Sequence, residues 1–242
     1  MFQRKKRHFI RDFFHDRKRR HQGTFEIRDL RPSVAENPYT FFVPRPEAIA
    51  AIKPGMTVKL IFASLPPSYY TGAERMWVTV TKTDGEKFEG RLDNIPLDIP
   101  QMSLGQTLQF EAHNIASVIW NDEEEQERLD NTDREEEMFK RCLVDDCVLH
   151  ENVPIGFLNR EEPETFEGQK YSDSGWRIRG LRGSATDEEY DGRKASFVAI
   201  GAVLNRDDSI LDLLSEPIGC AYEREDENAP YQPAQSVGAP ED

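Results

Sequence analysis

Two groups of residues have the types and spacing to do chemistry. Asp173, Ser174, Gly175 and Trp176 put a carboxylate, a hydroxyl, a flexible residue and a large aromatic in succession. Asp187, Glu188, Glu189 and Asp191 surround Tyr190 in a second, acidic group. Ser174 beside Asp173 suggests a nucleophile, but neighbours in sequence are not thereby a catalytic pair, and no Gly-x-Ser-x-Gly elbow surrounds the serine. The acidic group could serve acid/base hydrolysis only if two of its carboxyls faced each other across a cleft in environments that separate their pKa values. A third chemistry is recognition: an aromatic anchor with an acidic rim suits a basic protein face. Cys142-x4-Cys147-x2-His150 has metal-ligand types, yet the spacing fits no zinc motif and a fourth ligand is not evident. Gly180-Leu181-Arg182-Gly183-Ser184 follows no phosphate-loop or dinucleotide pattern. The expectation is therefore no catalytic residues, no metal and no cofactor, with Asp173, Ser174, Trp176, Asp187, Glu188, Glu189, Tyr190 and Asp191 as partner-binding residues. A competing reading makes Trp176 a core plug whose turn Asp173 caps.

These residues need a scaffold, and 242 residues with 37% hydrophobic content suffice for two modest cores. The formal net charge of -14 is uneven, because residues 1–22 carry nine Lys/Arg against two Asp/Glu. An acidic body of this kind disfavours nucleic acid and anionic membranes and favours a basic protein partner. Three cysteines are too few for a disulfide scaffold and point to a reducing cytoplasm. With no secretory apolar core and no uncharged run of about 18 residues, neither export nor a membrane span is expected.

Residues 1–22 read as a basic mobile tail, and residues 23–40 as an extended approach to a first domain over 40–120. That domain is β-rich. Thr57–Phe62 alternates with Val58, Leu60 and Phe62 on one face, and Gly55-x-Thr-apolar returns as Gly105-x-Thr-apolar, two similar turn-to-strand entries in one small sheet or barrel. Asp84-Gly85 marks a hairpin between Met76–Thr81 and Lys87–Leu92. Trp77 is assigned to the core, with surface binding as the alternative. A short helix is expected over Pro46–Ile52. Ten Asp/Glu and two Arg in residues 121–137 describe an acidic helical linker capped by Asn121 or Asp122.

The second domain, 138–225, mixes types. Strands are expected over Arg141–Leu149, Val153–Asn159, Trp176–Arg179, Ser196–Leu204 and Gly219–Tyr222, with Asp173–Trp176 as a turn, Asp187–Asp191 as a loop and a short helix over Asp208–Leu214. Residues 226–242 lack a core-forming pattern and read as a disordered tail. The fold class is α+β, a small, partly barrel-like β domain followed by an α+β domain.

Several separated blocks carry a family resemblance. Cys142-Leu143-Val144, Gly156-Phe157-Leu158-Asn159-Arg160-Glu161, Asp173-Ser174-Gly175-Trp176, Gly180, Glu189-Tyr190 and Ala221-Tyr222-Glu223-Arg224 occur in the order of a bacterial immunity-protein family, number thirty-three of the polymorphic-toxin catalogue, and the resemblance covers about 140–225. Over about 40–120, Glu74-Arg75-Met76-Trp77-Val78, Gly90-x-Leu92-x-Asn94-x-Pro96 and the Gly105 turn resemble a second bacterial family without assigned function. Arg179–Thr186 departs from the first pattern by being longer and more basic. What the resemblance implies is a cytoplasmic immunity protein that binds and neutralises a cognate toxin without catalysis. The alternatives are a regulatory or scaffold module for another basic protein and a hydrolase using the acidic loop.

Overall fold

The computed structural model describes residues 15, 17–68, 71–130, 132–165 and 170–234. It is an α+β protein of two compact units, one formed by Phe42–Asn131 with the residues before Glu36, the other by Glu36–Phe41 with the residues from Thr132 on.

The first unit is built on β2 (Thr57–Leu65), whose Val58, Leu60 and Phe62 are fully buried. One edge of β2 pairs with β3 (Glu74–Asp84). Its other edge is shared, the first half with β6 (Ile115–Ile119) and the second with β1 (Thr24–Ile27). From β3 the chain meanders through β4 (Lys87–Leu92) and β5 (Thr107–Glu111), then turns through a 3-10 segment, Ala112–Asn114, into β6. The result is a nearly closed barrel around Val58, Leu60, Met76, Val78, Leu92 and Phe110.

The two similar strand entries are the same structure twice. Gly55 and Gly105 both hold positive φ, 94° and 81°, at the third position of a turn closed by Met56 N–H to Lys53 O and by Gln106 N–H to Ser103 O, each 3.1 Å. Gly55 then donates to Val80 O and Gly105 to Leu92 O, each at 2.8 Å, while Val80 and Leu92 donate back to the residue after each glycine. Trp77 departs from the expectation. Strand alternation puts Met76, Val78 and Val80 inside, so Trp77 lies half-buried on the outer face under the Lys59 ammonium.

Of the expected mobile tail, residues 1–14 and 16 lie outside the described residues; 17–22 are helical, and Arg19, 3% exposed at its side chain, forms an ion pair with Asp98. The linker forms two helices, Glu123–Leu129 and Thr132–Phe139, and the first is capped by Asp122, which accepts from Glu125 N–H at 3.0 Å.

The second unit is a six-stranded sheet in the order β10 (Ala195–Ala199), β7 (Arg141–Asp145), β9 (Asp173–Gly180), β8 (Ile155–Arg160), β11 (Ala221–Glu223), β12 (Gln232–Pro233). Only β7 and β9 run parallel. One face packs Cys142, Val144, Leu158, Trp176 and Ile178 against Val148, Ile200, Val203 and Ile210.

Several expected elements are corrected. Arg141–Leu149 is a strand only to Asp145 and then a helix, Asp146–His150; Ser196–Leu204 is strand to Ala199 and helix over Ile200–Leu204. Short apolar runs do not reveal their period, which is why both read as continuous strands. Gly201 in the second of these helices lets residues 39 and 40 approach closely, since a Cβ there would stand 2.2 Å from Tyr39 O. Residues 36–41, expected as an approach to the first domain, belong instead to this unit through Tyr39 N–H to Asn205 Oδ1 at 3.0 Å and Tyr39 hydroxyl to Asp208 at 2.9 Å. The expected helix near 208–214 is a 3-10 segment, Leu211–Ser215. Residues 226–234 continue the sheet edge, with Ala234 N–H on Ala221 O at 2.9 Å and the Tyr231 hydroxyl on Ile155 O at 3.0 Å; residues 235–242 of the expected disordered tail lie outside the described residues. Among the described residues no helix is long and apolar enough to cross a membrane.

Candidate functional site

The run Asp173–Trp176 is a bulge rather than the expected turn. Arg141 and Leu143 of β7 face Asp173 and Arg177 of β9, so two steps on one strand span four on the other. Gly175 makes this possible with φ 81°, and a Cβ there would lie 2.1 Å from Glu161 O. The bulge is held by its own polar groups. Asp173 accepts from Glu164 N–H at 3.0 Å, Gly175 N–H at 3.1 Å and the Arg177 guanidinium at 2.9 and 3.1 Å. Ser174 donates to Arg141 O at 2.7 Å and accepts from Trp176 N–H at 3.3 Å. Trp176 is 1% exposed among the core residues of the sheet, with the Arg160 guanidinium 5.5 Å from its ring centroid.

Burial alone pushes the Asp173 carboxyl up, but the Arg177 guanidinium and the two backbone N–H groups together hold it below the usual carboxylate range. Beside it, burial pushes the Cys142 thiol up to about 12. Cys142 is therefore expected to resist alkylation by iodoacetamide in the native chain at pH 8 and to react only on unfolding, read by mass spectrometry of the labelled peptides. The spacing Cys142, Cys147, His150 does not gather ligands: Cys142 sits in the core of β7, while Cys147 and an exposed His150 lie on the following helix.

The acidic group is a short helix, Asp187–Asp191, where a loop was expected. Thr186 accepts from Glu189 N–H at 3.3 Å, and the Glu189 carboxylate accepts from the Thr186 N–H at 2.9 Å and hydroxyl at 3.0 Å, a reciprocal cap legible in Thr186-Asp187-Glu188-Glu189. These bonds hold the Glu189 carboxyl below its usual range. One of its oxygens, Oε2, is thus engaged by the cap, and Glu188 is exposed.

This helix stands beside the face of the sheet opposite the core. There Arg179, Phe157, Glu223 and Gln232 form one cross-strand row over β9, β8, β11 and β12. Tyr190 leans over its end, its ring centroid 3.8 Å from the Arg179 guanidinium, 4.7 Å from Arg193 and 5.7 Å from Arg182. Burial pushes the Tyr190 phenol above its usual range, against the opposing pull of the Arg179, Arg193 and Arg182 guanidinium groups. Row, helix and the segment Arg224–Pro230 enclose a cleft of about 940 Å³ lined by Phe157, Leu181, Tyr190, Glu223, Glu225 and Pro230.

The charges of this cleft are not equivalent. Arg179 reaches Asp191 at 3.3 Å and Asp145 at 3.6 Å, Arg182 pairs with Asp187, and Arg224 pairs with Asp207 at 3.0 Å. Glu223 and Glu225 make no ion pair among the described residues. What remains for a ligand is an apolar floor with two carboxylates.

Asp187, Tyr190 and Asp191 line the cleft, whereas Asp173, Ser174 and Trp176 do not. Phe157, Arg179, Arg182, Glu223 and Glu225 line the cleft as well and are not among the residues expected from sequence. Alternation along β8 and β9 places Phe157 and Arg179 on one face, but only the pairing of β8 with β11 adds Glu223 to them.

No curated protein and no solved structure matches the chain. Two families do, in the order anticipated from the residue blocks. Residues 46–127 match the family described as Uncharacterized protein conserved in bacteria (DUF2314), and residues 142–234, which contain the bulge, the capped helix and the cleft, match the Immunity protein Imm33 domain.

Proposed function

We propose that this protein binds a bacterial toxin in the cytoplasm and neutralises it, and that the cleft beside Tyr190 grips a basic segment of that toxin. The immunity-domain match supplies the kind of partner. The observation that carries the site is the asymmetry of its charges: each arginine lining the cleft is neutralised within the unit, while Glu223 and Glu225 make no ion pair among the described residues. A lysine or arginine entering over Phe157, Leu181 and Pro230 would lay its methylene groups on the apolar floor and its charge against those carboxylates. The net charge of -14 adds long-range attraction to a basic partner and speeds its arrival. Inhibition then needs only occupation of the toxin's working surface, and no chemistry from this chain.

The Asp173–Trp176 bulge supports this surface from behind. It fixes β9, and β9 carries Arg179, which seats Tyr190.

Co-purification of the tagged full chain with the product of the neighbouring gene, followed by calorimetry, tests this reading. The pair Glu223→Lys/Glu225→Lys is expected to weaken binding by about tenfold or more, chiefly in the association rate. Tyr190→Ala is expected to weaken it by about thirtyfold, the scale of an aromatic anchor lost from an interface centre. Unchanged affinity in both variants would remove the interface from the cleft.

A further inference from the structure

Strands β2, β3 and β4 turn one face into the first unit's barrel and the other outward. Lys59 of β2, Arg75, Trp77 and Thr79 of β3, and Arg91 of β4 stand on the outer face. Lys59 is directly opposite Trp77, its ammonium 4.2 Å from the ring centroid, and Arg91 is directly opposite Thr79. Because alternate side chains of a strand are about 7 Å apart, Arg75, the Lys59–Trp77 pair and Arg91 mark three successive steps in the direction of β3, with Lys59 one strand to one side of it and Arg91 one strand to the other.

None of these three cations makes an ion pair among the described residues, whereas Lys82 nearby is paired with Glu89 at 2.9 Å. Two carboxylates border the line. Glu74 is engaged by the N–H groups of Leu97 and Asp98 at 2.8 and 2.7 Å. Asp93 is exposed at the end of the Trp77 row, where its N–H donates to Trp77 O at 2.8 Å. The strip therefore keeps an excess of positive charge around a half-buried tryptophan in a chain whose net charge is -14.

We propose that this strip docks an extended acidic segment of a partner protein. A peptide in β conformation presents every second side chain to the same face at the same interval of about 7 Å, so alternate carboxylates meet Arg75, Lys59 and Arg91 in turn. Single-stranded nucleic acid also has regularly spaced anions, but it needs an open aromatic face for base stacking, and Lys59 covers the Trp77 ring. The strip belongs to the first unit and stands whether or not the cleft of the second binds a toxin.

Fluorescence anisotropy of the full chain with two labelled probes tests it, one a peptide alternating glutamate and serine, the other an oligothymidine of similar length. Saturable binding of the peptide is expected, weakening as salt is raised and falling about tenfold in Arg75→Glu/Arg91→Glu, with Lys53→Glu, an exposed turn position off the strip, unchanged. The neutral pair Arg75→Gln/Arg91→Gln, which introduces no repulsion into the fold, is expected to fall in the same direction. No saturable peptide binding, or binding unaltered in both double variants, overturns the proposal; tighter binding of the oligothymidine overturns the assignment of the partner as a protein.

Discussion

Trp176→Ala is expected to destabilise the second unit by about 3–5 kcal/mol, the cost of deleting a fully buried aromatic and leaving a cavity. The side chain is 1% exposed and belongs to the core of Cys142, Val144, Leu158 and Ile178. Hydrogen–deuterium exchange on the full chain reads this locally. Protection is expected to fall in peptides covering 141–160 and 173–180 and to persist in those covering 57–65 and 74–92, whose strands enclose a separate core. Trp176→Phe, which keeps most of the apolar volume, should recover much of the loss. Full protection with alanine at 176 would show that the ring does not hold this core.

Asp173→Ala is expected to cost about 3 kcal/mol, because it leaves the largely buried Arg177 guanidinium and the N–H groups of Glu164 and Gly175 without their acceptor. Glu161, 3.0 Å from Arg177 Nε, keeps part of the charge compensated and holds the cost toward the lower end of the range for a broken buried pair. The same carboxylate gives a pH dependence. Its folded pKa lies below the unfolded value of about 3.9, so the stabilisation is fully present above that value and is lost as pH falls through the folded pKa. Denaturant unfolding between pH 6 and pH 2 should show this acid limb in the wild type and a flatter one in Asp173→Asn, whose side chain does not ionise. Parallel limbs would contradict the assigned role of Asp173.

Both changes act on a run that reads in sequence either as a partner-binding turn or as a turn capped by Asp173 with Trp176 as a core plug, and the burial of Trp176 agrees with the second. The residue types were legible: a carboxylate and a hydroxyl around a glycine do satisfy backbone N–H groups locally. Their setting was not, because the two extra residues of the bulge exist only relative to β7, and nothing near position 173 tells the chain that Arg141 will lie beside it. Trp77 shows the reverse. Its apolar type suggested the core, while the pairing of β3 with β2 puts Met76 and Val78 inside and Trp77 out.

The barrel was more legible because its signals are local. Positive-φ glycines at 55 and 105 and the Asp84-Gly85 hairpin depend on a few neighbouring residues. So does the cap at Thr186-Asp187-Glu188-Glu189, whose capping-box pattern is local even though the acidic run reads as a loop. The cleft depends on distant pairings instead, above all Glu223 beside Phe157. A family resemblance could anticipate the C-terminal half as a unit, but the surface it presents follows from that strand order.

The most direct measurement is growth of cells that express the product of the neighbouring gene, with and without this chain. The account predicts that the wild-type chain restores growth and co-purifies with that product, while a folded Tyr190→Ala/Glu223→Lys/Glu225→Lys variant does neither. Failure of the wild-type chain to protect would contradict toxin neutralisation, and equal protection by the variant would contradict the cleft as the surface that delivers it.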